Sequence, residues 1–97
     1  GNTTLIRQLF SALGQQRHFQ VDSALLEKIQ QEIQGDWASE SQCVATIRQV
    51  YDETQHLIDP HTAVAVHVAD RYADHNVVPM LISATAHYGK FPQTMFK

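Results

Sequence analysis

Two short segments set polar and titratable side chains where a fold could use them. Asp59-Pro60-His61-Thr62 opens a helical pattern, and Ser83-Ala84-Thr85-Ala86-His87 follows an apolar run. The first puts a carboxylate, an imidazole and a hydroxyl on one helical turn, suited to capping the helix or to supporting a bound group. The second puts hydroxyls and an imidazole just past the carboxyl end of a strand pattern, the edge where open α/β sheets bind ligands. Thr85 either satisfies backbone groups at the turn or faces that crevice. His87 points either toward the crevice or into the next helix start. Asp59 caps its helix or lends its charge to the site, with His61, Thr62, Ser83 and His87 as supporting residues.

Other chemistries find no pattern. Six histidines invite a metal reading, but His61 and His67 sit six apart on one helix, roughly 120° from facing each other. No H-E-x-x-H or C-x-x-C spacing occurs, so no metal site is expected. His18, His56 and His75 read as exposed loop residues. Cys43 falls on the apolar stripe of a helix, where a small buried thiol is the expectation. Ser83 stands in S-A-T-A-H rather than G-x-S-x-G, and no G-x-G-x-x-G is present to hold a phosphate. No catalytic residue is therefore assigned within the chain.

The elements that must position these residues are mostly helices. Leu5, Ile6, Leu9, Phe10 and Leu13 predict a helix over 4–13, with Thr3 or Thr4 as cap and Gly14 as stop. A second runs over 22–34: Asp22 caps it, Leu25, Leu26, Ile29 and Ile33 line one face, and Gly35 ends it. Ser39 and Gln42 form a capping box for a third, 40–54, with Cys43, Ile47, Val50 and Tyr51 as its stripe. Asp59 and Pro60 start a fourth, 60–72, apolar nearly all round from 63 to 69 and so expected to be buried on most sides. Residues 73–76 read as a polar turn, 77–84 as a short buried strand of the parallel-sheet kind, and a last helix opens near Phe91-Pro92.

One strand cannot make a sheet, because its ladder N–H and C=O groups would be unsatisfied. The remaining strands are expected from the rest of the same polypeptide or from another chain. The pattern begins almost inside one helix and stops as another opens, which reads as a piece of a larger protein. Composition fits a small globular unit: 97 residues, 43% apolar, 18% charged, net charge −3. A chain of this size buries roughly 60–65% of its unfolded surface. With no basic patch, nucleic acid and anionic membranes are not expected partners. A single cysteine and no targeting or membrane-spanning segment point to a reducing, cytoplasmic setting.

The motifs also carry a resemblance. ATIRQVYDETQHLIDPHTAVAVHVA, an apolar strand pattern, and then ATAHYGKFPQTMF resemble the C-terminal part of threonine synthase and threonine synthase-like proteins. Those proteins typically read T-I-x-x-V-Y-x-x-[ST]-G-Y-x-x-[DE]-P-H-[TA]-A-V, followed by an apolar strand ending in [LA]-x-T-A-H-P-A-K-F. The opening Asn2-Thr3-Thr4-Leu5-Ile6-Arg7-Gln8-Leu9-Phe10 is similar to their S-N-x-E-R-x-L-F helix. The likeness covers essentially the whole chain in order. Tyr88-Gly89 replaces the usual Pro-Ala, Thr54-Gln55-His56 stands for Ser/Thr-Gly-Tyr, and Thr4 stands where Glu is common.

The resemblance implies a mainly α segment with one buried strand, part of an α/β parallel-sheet pyridoxal 5′-phosphate enzyme of the tryptophan-synthase-beta kind. It implies a lyase of threonine biosynthesis that converts O-phosphohomoserine and water to threonine and phosphate. Thr85 would hydrogen-bond the pyridine nitrogen of the cofactor. None of Lys28, Lys90 and Lys97 matches the family's Schiff-base lysine, which belongs to the preceding part of such proteins. The segment alone is accordingly expected to be inactive, with an exposed apolar face that favours self-association. Two other readings are a threonine synthase-like phospholyase relative and a non-enzymatic helical interaction module, for which four amphipathic helices and a small core would suffice. A regulatory amino-acid-binding domain is disfavoured, since several strands would be needed to build one.

Overall fold

A computed structural model describes residues 1–73 and 78–96. His75, Lys97, residues 74–76 of the expected polar turn and the first residue of the strand pattern lie outside them. The chain divides into two compact units, Gly1–Gly35 and Asp36–Lys97.

The first unit holds α1 (Thr3–Gln16) and α2 (Ser23–Glu32). Asn2, not a threonine, caps α1: its side-chain Oδ1 accepts the Leu5 N–H at 3.0 Å. Gly14 does not stop the helix. The chain runs through it to Arg17, which turns left-handed at φ 60° while its N–H bonds to the Leu13 carbonyl. Closing the helix there leaves Gly14 as an interior residue, where its missing side chain weakens the helix. Asp22 caps α2 by accepting from Leu25 N at 2.8 Å. The helix ends at Ile33, whose backbone is extended, so Gly35 lies beyond the stop rather than making it. No residue of either helix is fully buried, and Ile6, Phe10 and Ile33 are more than half exposed.

The second unit is organised by α3 (Glu40–Thr54) and α4 (Pro60–Tyr72), which pack on each other. Ser39 opens α3 with both halves of a capping box, Gln42 N to Ser39 Oγ at 3.3 Å and Ser39 N to Gln42 Oε1 at 2.8 Å. The core between the helices is Cys43, Ile47 and Ala63, with Ala38, Ile58, Val64 and Met95 packed against it. Burial raises the Cys43 thiol above the ordinary cysteine range, and the nearby Glu40 charge adds to this. Only Thr62 and Ala63 of α4 are fully buried; Val64, Val66 and Val68 are half-buried. The expectation of a helix buried on most sides is met on one side only, where α3 lies.

The expected buried strand is not shown among the described residues. Residues 78–84 form neither helix nor strand, and no strand is present among the described residues. Their side chains are exposed, Leu81 at 92% and Val78 at 66%. A β-ladder is an interaction between strands, and nothing among the described residues supplies a second one. Beyond this run, a single 3₁₀ turn spans Tyr88–Lys90 and the short α5 spans Pro92–Met95.

A second long-range tie fixes the end of α4. Arg71 donates to Asp36 Oδ2 at 2.8 Å, Tyr72 OH reaches the same oxygen at 3.4 Å, and Asp36 Oδ1 accepts from Trp37 N. The Trp37 N–H, then Arg71, hold the Asp36 carboxyl below the usual range. Arg71 also donates to His67 Nε2 at 3.1 Å. Arginine has no acceptor, so this bond requires Nε2 to be unprotonated.

Because a Cβ at Gly14 would meet nothing within 4 Å, Gly14→Ala should stabilise the chain by ~0.5–1 kcal/mol. A urea-unfolding midpoint measures it, and a lower midpoint would contradict the interior placement.

Candidate functional site

Capping of α4 sets the geometry of the Asp59 segment. Asp59 is 2% exposed, and its oxygens are spent on the first helical turn. Oδ2 accepts from His61 N at 2.9 Å and Thr62 N at 3.3 Å, while Oδ1 accepts from the Thr62 hydroxyl. Pro60 occupies the first turn, where no N–H is needed. Burial pushes the Asp59 carboxyl up, but the bonds from Thr62 Oγ1, Thr62 N and His61 N outweigh it and leave the pKa below the ordinary aspartate value. The charge is thus held by three donors on α4.

His61 faces outward from this turn. Its Nδ1 lies 3.5 Å from Asp59 Oδ2 and its side chain is 62% exposed. The ring meets Phe91 with centroids 4.9 Å apart and planes tilted by 46°. The Asp59 segment and the turn after Thr85, separate in sequence, therefore touch through His61 and Phe91. Residue types gave no sign of this contact, because Phe91 read only as a helix start beside Pro92. Met95, on α5, reaches the Ala63 core from the same segment.

Ser83, Thr85 and His87 are exposed. His87 stands at the start of the 3₁₀ turn. Its Nδ1 accepts from Gly89 N at 3.1 Å, capping the 3₁₀ turn, and its ring lies against Tyr88 at 4.1 Å. Lys90 N and Phe91 N complete the turn on the carbonyls of His87 and Tyr88, both at 3.0 Å. Thr85 makes no side-chain hydrogen bond among the described residues. Its hydroxyl is not engaged in capping the turn. No cluster of three histidine, cysteine, aspartate or glutamate side chains suited to a metal ion occurs among the described residues. Nor is any described helix long and apolar enough to cross a membrane.

Residues 62–97 match the family model described as threonine synthase, C-terminal. Over 87 residues, 90% of the chain, the sequence is 49% identical to threonine synthase-like 1 of Homo sapiens. It is 32% identical to the threonine synthase of Eremothecium gossypii over 95 residues. The fold superposes on pyridoxal-phosphate-bound threonine synthase from Brucella melitensis with a TM-score of 0.83 and 33% identity over 95% of the chain. The chain is similar to the C-terminal part of threonine synthases and threonine synthase-like proteins. It spans 12% of the human relative, 19% of the Eremothecium one and 20% of the Brucella chain. The Thr85 segment lies within the residues that match the threonine synthase C-terminal family model, and Asp59 lies just before them.

The cap yields a pair of outcomes. Asn at 59 can accept both backbone N–H groups through its carbonyl and offer its amide to the Thr62 oxygen, so Asp59→Asn should be nearly neutral at pH 7. Asp59→Ala strands the donors and should cost ~1–2 kcal/mol in unfolding free energy. Because the folded-state pKa is depressed, the unfolded chain binds the proton first as pH falls. The carboxylate's contribution is complete above the ordinary aspartate pKa and fades as pH drops through the folded value. Unfolding midpoints from pH 7 to 2.5 should therefore fall less steeply in Asp59→Asn than in the parent sequence.

Proposed function

We propose that this chain is the C-terminal segment of a pyridoxal 5′-phosphate-dependent threonine synthase, a carbon–oxygen lyase converting O-phosphohomoserine and water to threonine and phosphate. The observation that carries the reading is the 0.83 TM-score to the pyridoxal-phosphate-bound Brucella enzyme across 95% of the chain. When bound, the cofactor supplies an electron sink for the negative charge that develops on the substrate carbon skeleton.

The chain's own contribution is orientation. The hydroxyl of Thr85 is exposed and makes no hydrogen bond among the described residues, and it can donate to an unprotonated ring nitrogen. An ionised carboxylate in its place would instead hold that nitrogen protonated. Thr85 therefore suits a role that fixes the ring without fully charging it. Ser83 lies two residues before it. His61 and Thr62 serve the α4 turn, and His87 serves the 3₁₀ turn, so these act through structure rather than on substrate.

The segment depends on the rest of its polypeptide. Val78, Met80, Leu81 and Ile82 are exposed apolar side chains, and this supports residues 77–84 joining a parallel sheet built by that remainder. Lys28 and Lys90 are exposed, on the polar face of α2 and in the 3₁₀ turn. Neither is suited to carry the cofactor, whose covalent lysine belongs to the remainder. The isolated 97-residue chain should accordingly show no imine absorption when titrated with pyridoxal phosphate, and should self-associate through its apolar surface. A stoichiometric imine band would overturn that assignment. A cytoplasmic setting and the absence of nucleic-acid and membrane partners belong to the same reading.

A second reading has one specific support: identity is higher to human threonine synthase-like 1, 49%, than to Eremothecium threonine synthase, 32%. On it, the protein is a phospholyase relative that releases phosphate without making threonine. The full-length polypeptide, given O-phosphohomoserine, separates the two when phosphate and threonine are both measured. Equal amounts support threonine synthase; phosphate without threonine supports the relative. In either case Thr85→Val keeps the volume and removes the donor, so cofactor affinity should fall by ~1–2 kcal/mol. Wild-type affinity and turnover in that variant would place the pyridine contact elsewhere.

A further inference from the structure

We propose that His61 is a positioning residue: its ring, seated on the buried Asp59 turn, holds Phe91 and so fixes the 87–91 turn behind Thr85. The proposal rests on the reading of Thr85 as a cofactor contact. The His61 N–H donates to Asp59 Oδ2 at 2.9 Å, and its Nδ1 lies 3.5 Å from the same oxygen. That leaves the ring to meet Phe91 at 4.9 Å. Phe91 in turn closes the 3₁₀ turn through its N–H on Tyr88, with Lys90 and Gly89 bonded back to His87. Contacts therefore run without a break from the start of α4 to His87, two residues from Thr85.

Burial separates this role from ordinary core packing. The side chain of His61 is 62% exposed, whereas the core consists of Cys43, Ile47 and Ala63. Met95 ties the same segment to that core independently. Loss of the His61 ring therefore frees the turn without releasing the segment. It is the ring face, not the charge, that meets Phe91, so a phenylalanine at 61 preserves the contact while giving up the interaction of Nδ1 with Asp59.

The test uses the full-length polypeptide with His61→Ala, His61→Phe and Thr85→Val. In cofactor-free protein, amide exchange at Lys90 and Phe91 should quicken in His61→Ala by about threefold to tenfold, the range one aromatic contact supplies, and return toward wild type in His61→Phe. The dissociation constant for pyridoxal phosphate should rise in His61→Ala by no more than the same factor and recover in His61→Phe. Unchanged exchange in His61→Ala overturns the proposal. So does an unfolding midpoint lowered as far as in Asp59→Ala, since His61 would then act through helix stability. Faster exchange with unchanged cofactor affinity, while Thr85→Val binds weakly, overturns the positioning role and leaves the Thr85 reading standing. Unchanged affinity in both His61→Ala and Thr85→Val overturns the Thr85 reading and this proposal with it.

Discussion

A buried carboxylate at the start of α4 is the interaction on which the second unit depends. Asp59 is almost wholly enclosed, and enclosing an ionised group is unfavourable unless donors replace its water. Here the donors are the orphan N–H groups of the helix start and the Thr62 hydroxyl. Each side satisfies the other: the helix loses its unpaired donors and the carboxylate loses its need for solvent. This lets Thr62 and Ala63 be buried immediately after the cap, and Ala63 is the point at which α4 meets α3. Small side chains on that turn allow the close approach, with Cys43 and Ile47 filling the facing positions.

From that fixed point the chain leaves and returns. α4 ends where Arg71 and Tyr72 bind Asp36, the first residue of the unit. The segment beyond comes back to the start of the same helix, with Phe91 on His61 and Met95 on the core. The Thr85 corner lies between the two anchored ends.

Much of the chain's apolar surface has no cover within it. Phe10 and Ile33 in the first unit and Leu81 in the second are more than half exposed, as are Trp37 and Phe96. A self-sufficient small domain would bury side chains of this size, since its margin of stability is narrow. Such faces are consistent with a segment that spans about a fifth or less of the relatives it matches.

Local chemistry was legible in the residues themselves. Asp59-Pro60 and the Ser39/Gln42 pair announce helix starts because capping is settled within four residues, and the burial of Cys43 follows from its place on an apolar stripe. Helix ends were less legible. Gly14 and Gly35 looked like stops, yet Arg17 and Ile33 end the helices, because a left-handed or extended residue is available to more than glycine. The D-P-H-T and A-T-A-H motifs could be paired only as a resemblance. Sequence determined which side chains are offered: a cap, a buried thiol, a hydroxyl after an apolar run. Tertiary structure decided that His61 meets Phe91, that Asp36 binds Arg71 35 positions away, and that residues 78–84 find no strand partner among the described residues. The reason is physical. Caps and stripes are set by neighbours along the chain, whereas ring contacts, ion pairs and β-ladders depend on partners that only folding brings near, or that another part of the protein must provide.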